Sequence, residues 1–201
     1  MTRRNGTARC LVALACGLAL ALSGACRRAA DVPPETYQKA VLSFDIALAA
    51  MDTSQEVLAR QHLDTLVGIV PQEPAGWANL GLLLLRQQEL DAARERLATA
   101  AGLAPDSAEI ARLQALVESR AGDLEASTRL WRRAVELAPS DPRAAYALAQ
   151  DVERQGTGAH DAEAQQVLEQ LLARTENLPA RLDFARLAAK RGDGAALTRA
   201  L

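Results

Sequence analysis

The sequence has almost no lysine, few aromatic rings and no cysteine beyond residue 26. Of its 23 basic residues only Lys39 and Lys190 are lysine. Two residues each of Trp, Tyr and Phe serve 201 positions, so any core must be built mainly from Ala and Leu. Those residues, with Arg, Glu and Gln, lose least on entering a helix. Cys10, Cys16 and Cys26 are the only cysteines, which excludes disulfides and thiolate metal sites from the rest of the chain. The two histidines, His62 and His160, have no second His, Cys or paired carboxylate at ligand spacing. Both are read as surface or helix-packing residues. Charge of one sign is also lacking: the formal net charge is −2, and a mildly acidic body with scattered Arg makes no electrostatic case for nucleic acid.

No apolar run is long enough for a bilayer span, which needs roughly 20 residues. The longest, Cys10 to Ala25, follows Arg3, Arg4 and Arg9 and ends in Leu22-Ser23-Gly24-Ala25-Cys26. A charged start, a short apolar run and small residues before a Cys have the form of a secretory signal. The ending resembles the bacterial lipobox, with Ser23 in place of the commoner Leu. That resemblance implies a signal peptide over 1–25, removed before a diacylated Cys26, and a tether over 26–39 stiffened by Pro33-Pro34. Arg27, where an Asp would suggest inner-membrane retention, implies the outer membrane over the inner, with the protein facing the periplasm.

Beyond the tether the sequence repeats. Pro71, Pro105 and Pro139 are spaced by 34, as are Leu63, Leu97 and Trp131, then Leu66, Ala100 and Ala134, and again Ala59, Ala93 and Ser127. A constant period in several registers marks a repeat array. Within one period, Trp77, Leu80, Gly81, Leu84, Ala93, Leu97, Ala100 and Pro105 follow the W–L–G–Y–A–F–A–P spacing of the tetratricopeptide repeat, with Leu84 and Leu97 in the Tyr and Phe places. The chain therefore resembles that family. The implied fold is all-α, a solenoid of about four and a half helix-turn-helix repeats over 40–201. The repeats read as 40–73, 74–107, 108–141, 142–177 and an incomplete 178–201. Ser54 is read as an N-cap, and repeat four is read as gaining residues in its inner turn, "QGTGAHDAEA".

Chemistry is scarce. "GTGAHD" (156–161) holds a G-x-G without the strand, turn and helix of a dinucleotide loop. Ser, His and Asp form no nucleophile motif, and the carboxylates lie beside Arg at helical spacing, as ordinary i,i+4 pairs do. No catalytic residue, cofactor site, metal site or small-molecule substrate is expected.

The family resemblance points instead to a groove lined by the first helix of each repeat. Its groove-facing positions fall on Phe44, Leu48, Met51, Asn79, Leu82, Arg86, Arg112, Arg120, Arg143, Tyr146 and Arg154. Arg86, Arg120 and Arg154 are again 34 apart, with Lys190 in the equivalent place. Such a row either forks onto the carboxylates of an acidic or C-terminal segment or closes its own helices against their dipoles. The implied function is a protein-binding scaffold taking an extended peptide or a helix, anchored in the bacterial envelope. The closing stretch "LDFARLAAKRGD" also resembles repeat arrays that precede other domains in secreted proteins of the ASPIC/UnbV type, which implies the alternative of an accessory array for an activity beyond residue 201.

Overall fold

The computed structural model describes residues 33–200. Over that span the chain forms ten α-helices and no strand. α1 (Pro34–Asp52) pairs with α2 (Glu56–Ile69), α3 (Pro74–Arg86) with α4 (Leu90–Leu103) and α5 (Ala108–Ala121) with α6 (Leu124–Leu137). α7 (Pro142–Arg154) pairs with α8 (Gly158–Leu172), and α9 (Leu178–Arg191) with α10 (Gly194–Ala200). Each pair packs against the next. This is an all-α solenoid. The expected signal peptide over 1–25 and the expected acylation at Cys26 lie outside the described residues.

The period of the sequence becomes the period of the helices. α2, α4, α6 and α8 begin at Glu56, Leu90, Leu124 and Gly158, each 34 residues after the last. Local chemistry starts many of them. Pro74 and Pro142 open their helices from the first turn, where a missing N–H costs nothing. Side chains of Glu73, Ser107, Asp123, Asp141 and Asn177 each accept a first-turn N–H.

The repeated small and large residues form the seam between paired helices. Ala59, Ala93 and Ser127 are fully buried, as are Leu63 and Leu97, with Trp131 almost so. Gly81 shows why the seam needs small side chains. A Cβ there would lie 2.5 Å from Leu97 Cγ and 2.8 Å from its Cδ2. Three apolar clusters run along the solenoid, joined by shared residues: Trp77 and Leu82 pack against the first and second, and Leu116 against the second and third. The stretch "WANLGLLLL" lies within the 13-residue α3, and no described helix is long and apolar enough to cross a membrane.

Three expectations need correction. α1 begins at Pro34, inside the stretch read as a tether to residue 39, because proline fits the first helical position. Pro33 alone is extended, with φ −55° and ψ 143°. Ser54 is not an N-cap: its φ is 57°, and Gln55 occupies the cap position without a side-chain bond.

The inner turn of the fourth pair is not enlarged either. Gly156, at φ 81°, reverses the chain, and the Thr157 hydroxyl accepts the His160 N–H, so α8 starts in register at Gly158. The extra residues fall later, in 173–177, and delay α9 to Leu178. The register was hidden because two of its buried positions in α8 are polar, Asp161 and Gln165.

Gly81→Ala is expected to lower stability by about 1–3 kcal/mol through overpacking against Leu97. Gly102→Ala, where a Cβ meets nothing within 4 Å, should instead hold or raise it by about 0.5–1 kcal/mol. Urea denaturation of the two variants beside the parent protein checks both signs.

Candidate partner-binding groove

The odd-numbered helices lie side by side and are tied to one another by polar contacts. Arg86 on α3 donates 3.1 Å to the Met51 carbonyl on α1. Arg154 on α7 donates 3.1 Å to Ser119 Oγ on α5 and 2.9 Å to Asp151 Oδ1 on its own helix. Tyr146 on α7 donates 2.8 Å to Asp183 Oδ2 on α9. Arg186 grips Glu153 with two bonds of 2.6 and 2.7 Å and Asp183 with a third of 3.0 Å. These bonds join α1 to α3 and, separately, link α5, α7 and α9 along one face.

That face has two chemically different ends. At the N-terminal end an apolar hollow of about 250 Å³ is lined by Tyr37, Val41, Phe44, Leu66 and Val70. Phe44 and Leu82 are half-buried, Leu48 is exposed, and the Asn79 amide is turned back onto the Ala75 carbonyl at 2.8 Å. The C-terminal end holds a depression of about 430 Å³ whose walls include Leu116, Gln150, Glu153, Arg154, Asp183 and Arg186. Its floor carries Trp131 and Asp151.

Asp151 is the centre of that floor. Its side chain is buried and takes four donors: Ser119 Oγ at 2.9 Å and Arg154 at 2.9 Å on Oδ1, Ser127 Oγ at 2.7 Å and Trp131 Nε1 at 2.9 Å on Oδ2. A buried carboxylate survives only when its lone pairs are met in this way. Asp151 therefore holds α5, α6 and α7 together and leaves nothing for a ligand.

The cationic row divides. Arg86 and Arg154 reach back across the preceding repeat, and Lys190 does so too, with its ammonium 2.7 Å from the buried Asp161. The dipole-capping alternative describes Arg86 well, since its target is a carbonyl at the end of α1. Arg120 is exposed, and among the described residues no hydrogen bond or ion pair holds its guanidinium. Arg112 pairs with Glu109 at 2.8 Å. Arg143 forks onto Asp141 at 3.0 and 2.9 Å, and that guanidinium, foremost among several causes, holds the Asp141 carboxyl below its usual range. Burial first, and the Asp183 carboxylate second, push the Tyr146 phenol above its ordinary value.

The sequence did not single out Ser119, Glu153, Asp183 and Arg186, although a signal existed: Glu153 and Arg186 stand 33 apart, and Tyr146 and Asp183 stand 37 apart, near one repeat length. His62 and His160 are half-buried, with Nδ1 atoms that meet no partner. Among the described residues no cluster of His, Cys, Asp and Glu is placed to hold a metal ion.

Residues 50–117 match the tetratricopeptide-repeat family. Solved structures extend the likeness along the solenoid. MamA superposes with a TM-score of 0.70 at 15% identity, over 81% of this chain and 88% of that one. YrrB, described as a tetratricopeptide-repeat protein with an unusual peptide-binding site, gives 0.65 at 12% identity, over 80% and 82%. PilF of Pseudomonas aeruginosa gives 0.69 at 17%, over 80% and 72%. Residues 50–117 carry the tetratricopeptide repeat, and the described solenoid as a whole shares the fold of these structures. No curated protein sequence matches the chain. Along the odd-numbered helices Phe44, Leu48 and Leu82 lie toward the N-terminal end, and Arg143, Tyr146 and Arg154 toward the C-terminal end.

Removing the Asp151 carboxylate tests the floor. Asp151→Ala leaves the Trp131 N–H without its acceptor, at a cost of about 1–3 kcal/mol, and the Ser127 hydroxyl with only the Leu124 carbonyl at 3.3 Å. Asp151→Asn, which keeps one oxygen, should lose less. Equilibrium unfolding followed by Trp fluorescence separates the two.

Proposed function

We propose that this solenoid is a non-enzymatic scaffold that holds an extended segment or helix of a partner protein along the face of its odd-numbered helices. Acylated at Cys26, it would work from the periplasmic side of the bacterial envelope, at the outer membrane, in the assembly of an envelope complex. The observation that carries the reading is the division of that face. An apolar hollow lined by Tyr37, Val41, Phe44, Leu66 and Val70 lies at one end and a charged depression at the other, with Arg120, unpaired among the described residues, between them. A bound segment would seat apolar side chains in the first and present a carboxylate to Arg120. The resemblance to YrrB, whose description includes a peptide-binding site, supports the use of such a face. The signal-like residues 1–25 and Cys26 support the address.

The geometry also refines the choice of residues to test. Reversing Arg86 or Arg154 would break contacts between repeats and confuse folding with binding. A photo-crosslinking amino acid placed at Leu48, Leu82 or Arg120 in intact cells should capture one envelope protein. The same group at Glu125 or Arg129, a pair on the solvent side of α6, should not. Equal capture from both sets would defeat the groove reading. Arg120→Glu should weaken capture from the flanking sites while leaving the far-ultraviolet circular dichroism unchanged. Metabolic labelling with a palmitate analogue, lost on Cys26→Ala, tests the anchor.

A further inference from the structure

The exposed apolar side chains are not spread along the solenoid. Among the described residues eight large ones are exposed, and six of them, Tyr37, Val41, Leu42, Leu48, Val57 and Leu58, belong to the first helix pair. The other two, Leu178 and Leu182, lie on α9. Val41 and Leu48 border the groove together with Phe44 and Tyr37. Leu42, Val57 and Leu58 do not share that side.

Helical geometry places the second group. At about 100° per residue, Leu42 points away from the buried row of Ala40, Ala47 and Met51. It is 60% exposed. On α2, Glu56 and Arg60 face forward, bonded to Gln87 and Glu89 of the next repeat. Leu58, two residues from each, is turned about 160° from them and so faces away from the second pair. Val57, at 85% exposure, lies opposite the buried Ala59, Leu63 and Leu66. Large apolar side chains left in water at the outer side of a terminal repeat mark a contact surface.

We infer that the outer side of the first helix pair, carrying Leu42 and Leu58, rests on the lipid surface in which Cys26 is anchored. The inference rests on the acylation proposed above. Its physical ground is reach. Only Arg27 to Pro33 separate Cys26 from α1, a tether of at most about 25 Å. The first repeat therefore cannot leave the membrane surface, whereas the last is a solenoid's length away. Arg27 and Arg28 attract anionic headgroups to the same place. Glu35 and Asp45 on α1 remain hydrated, so the contact is a shallow one at headgroup depth.

The test uses the full-length gene, with the mature acylated protein purified and reconstituted into vesicles of phosphatidylethanolamine and phosphatidylglycerol. The acylated protein has no free thiol, so an environment-sensitive dye can be attached at Leu42→Cys, at Leu58→Cys or at the control Glu125→Cys. The expected result is blue-shifted emission at 42 and 58, quenched by lipids with brominated chains, and neither effect at 125. A blue shift without quenching would mean that the surface is covered by a second copy of the protein, and no shift would mean that it stays in water. Either overturns the inference. Mass spectrometry of the same preparation reports acylation separately. An unmodified Cys26 would remove the anchor reading itself, and an acylated protein without quenching would remove only the membrane contact.

Discussion

The close approach of paired helices over small side chains is the constraint on which the solenoid depends. Gly81 lies against Leu97 with no room for a methyl group, and Ala59, Ala93 and Ser127 are fully buried at the same place in successive pairs. Because each pair buries only part of its apolar surface internally, it must stack on a neighbour to bury the rest. The shared residues Trp77, Leu82 and Leu116 are where that stacking joins one cluster to the next. Alignment of the odd-numbered helices, and so the existence of a common face, follows from the seam.

Along the chain the material of the joints changes. Between the early pairs the contacts are mainly aliphatic, centred on Leu63, Leu80 and Leu83, then on Leu84, Leu97 and Leu113. From α5 onward carboxylates enter the buried layer. Asp151 gathers four donors, and Asp161 receives Lys190 across the last junction, where Gln165 also meets Arg191 and Asp193. Such groups add direction to packing that is otherwise indifferent to small slips, because each has a specific partner to lose.

How much of this was legible depended on whether a position is apolar. The 34-residue spacing of Ala, Leu and Pro revealed the helix pairs of the first three repeats, since burial of those residues is the cause of the fold. It failed at α8, where Asp161 and Gln165 occupy buried positions that an apolar pattern passes over, and the extra residues were assigned to the wrong turn. Ser54 failed for a different reason, because N-cap preference says nothing of a turn that places the residue at positive φ. At the face, residue type gave the row of cations but not their engagements. Whether an Arg caps, clamps or stays free depends on what the previous repeat presents to it, and Met51, Ser119 and Asp161 present three different answers.

The polar joint between α8 and α9 has a mechanical consequence. Attractions between partly exposed charges weaken as salt rises, whereas contacts between buried aliphatic chains do not. Salt therefore loosens the Lys190–Asp161 tie at that joint, while the apolar contacts of Leu168, Leu171, Phe184 and Leu187 beneath it persist. A fold held in this way keeps its layers together while one of its fastenings responds to the ions outside.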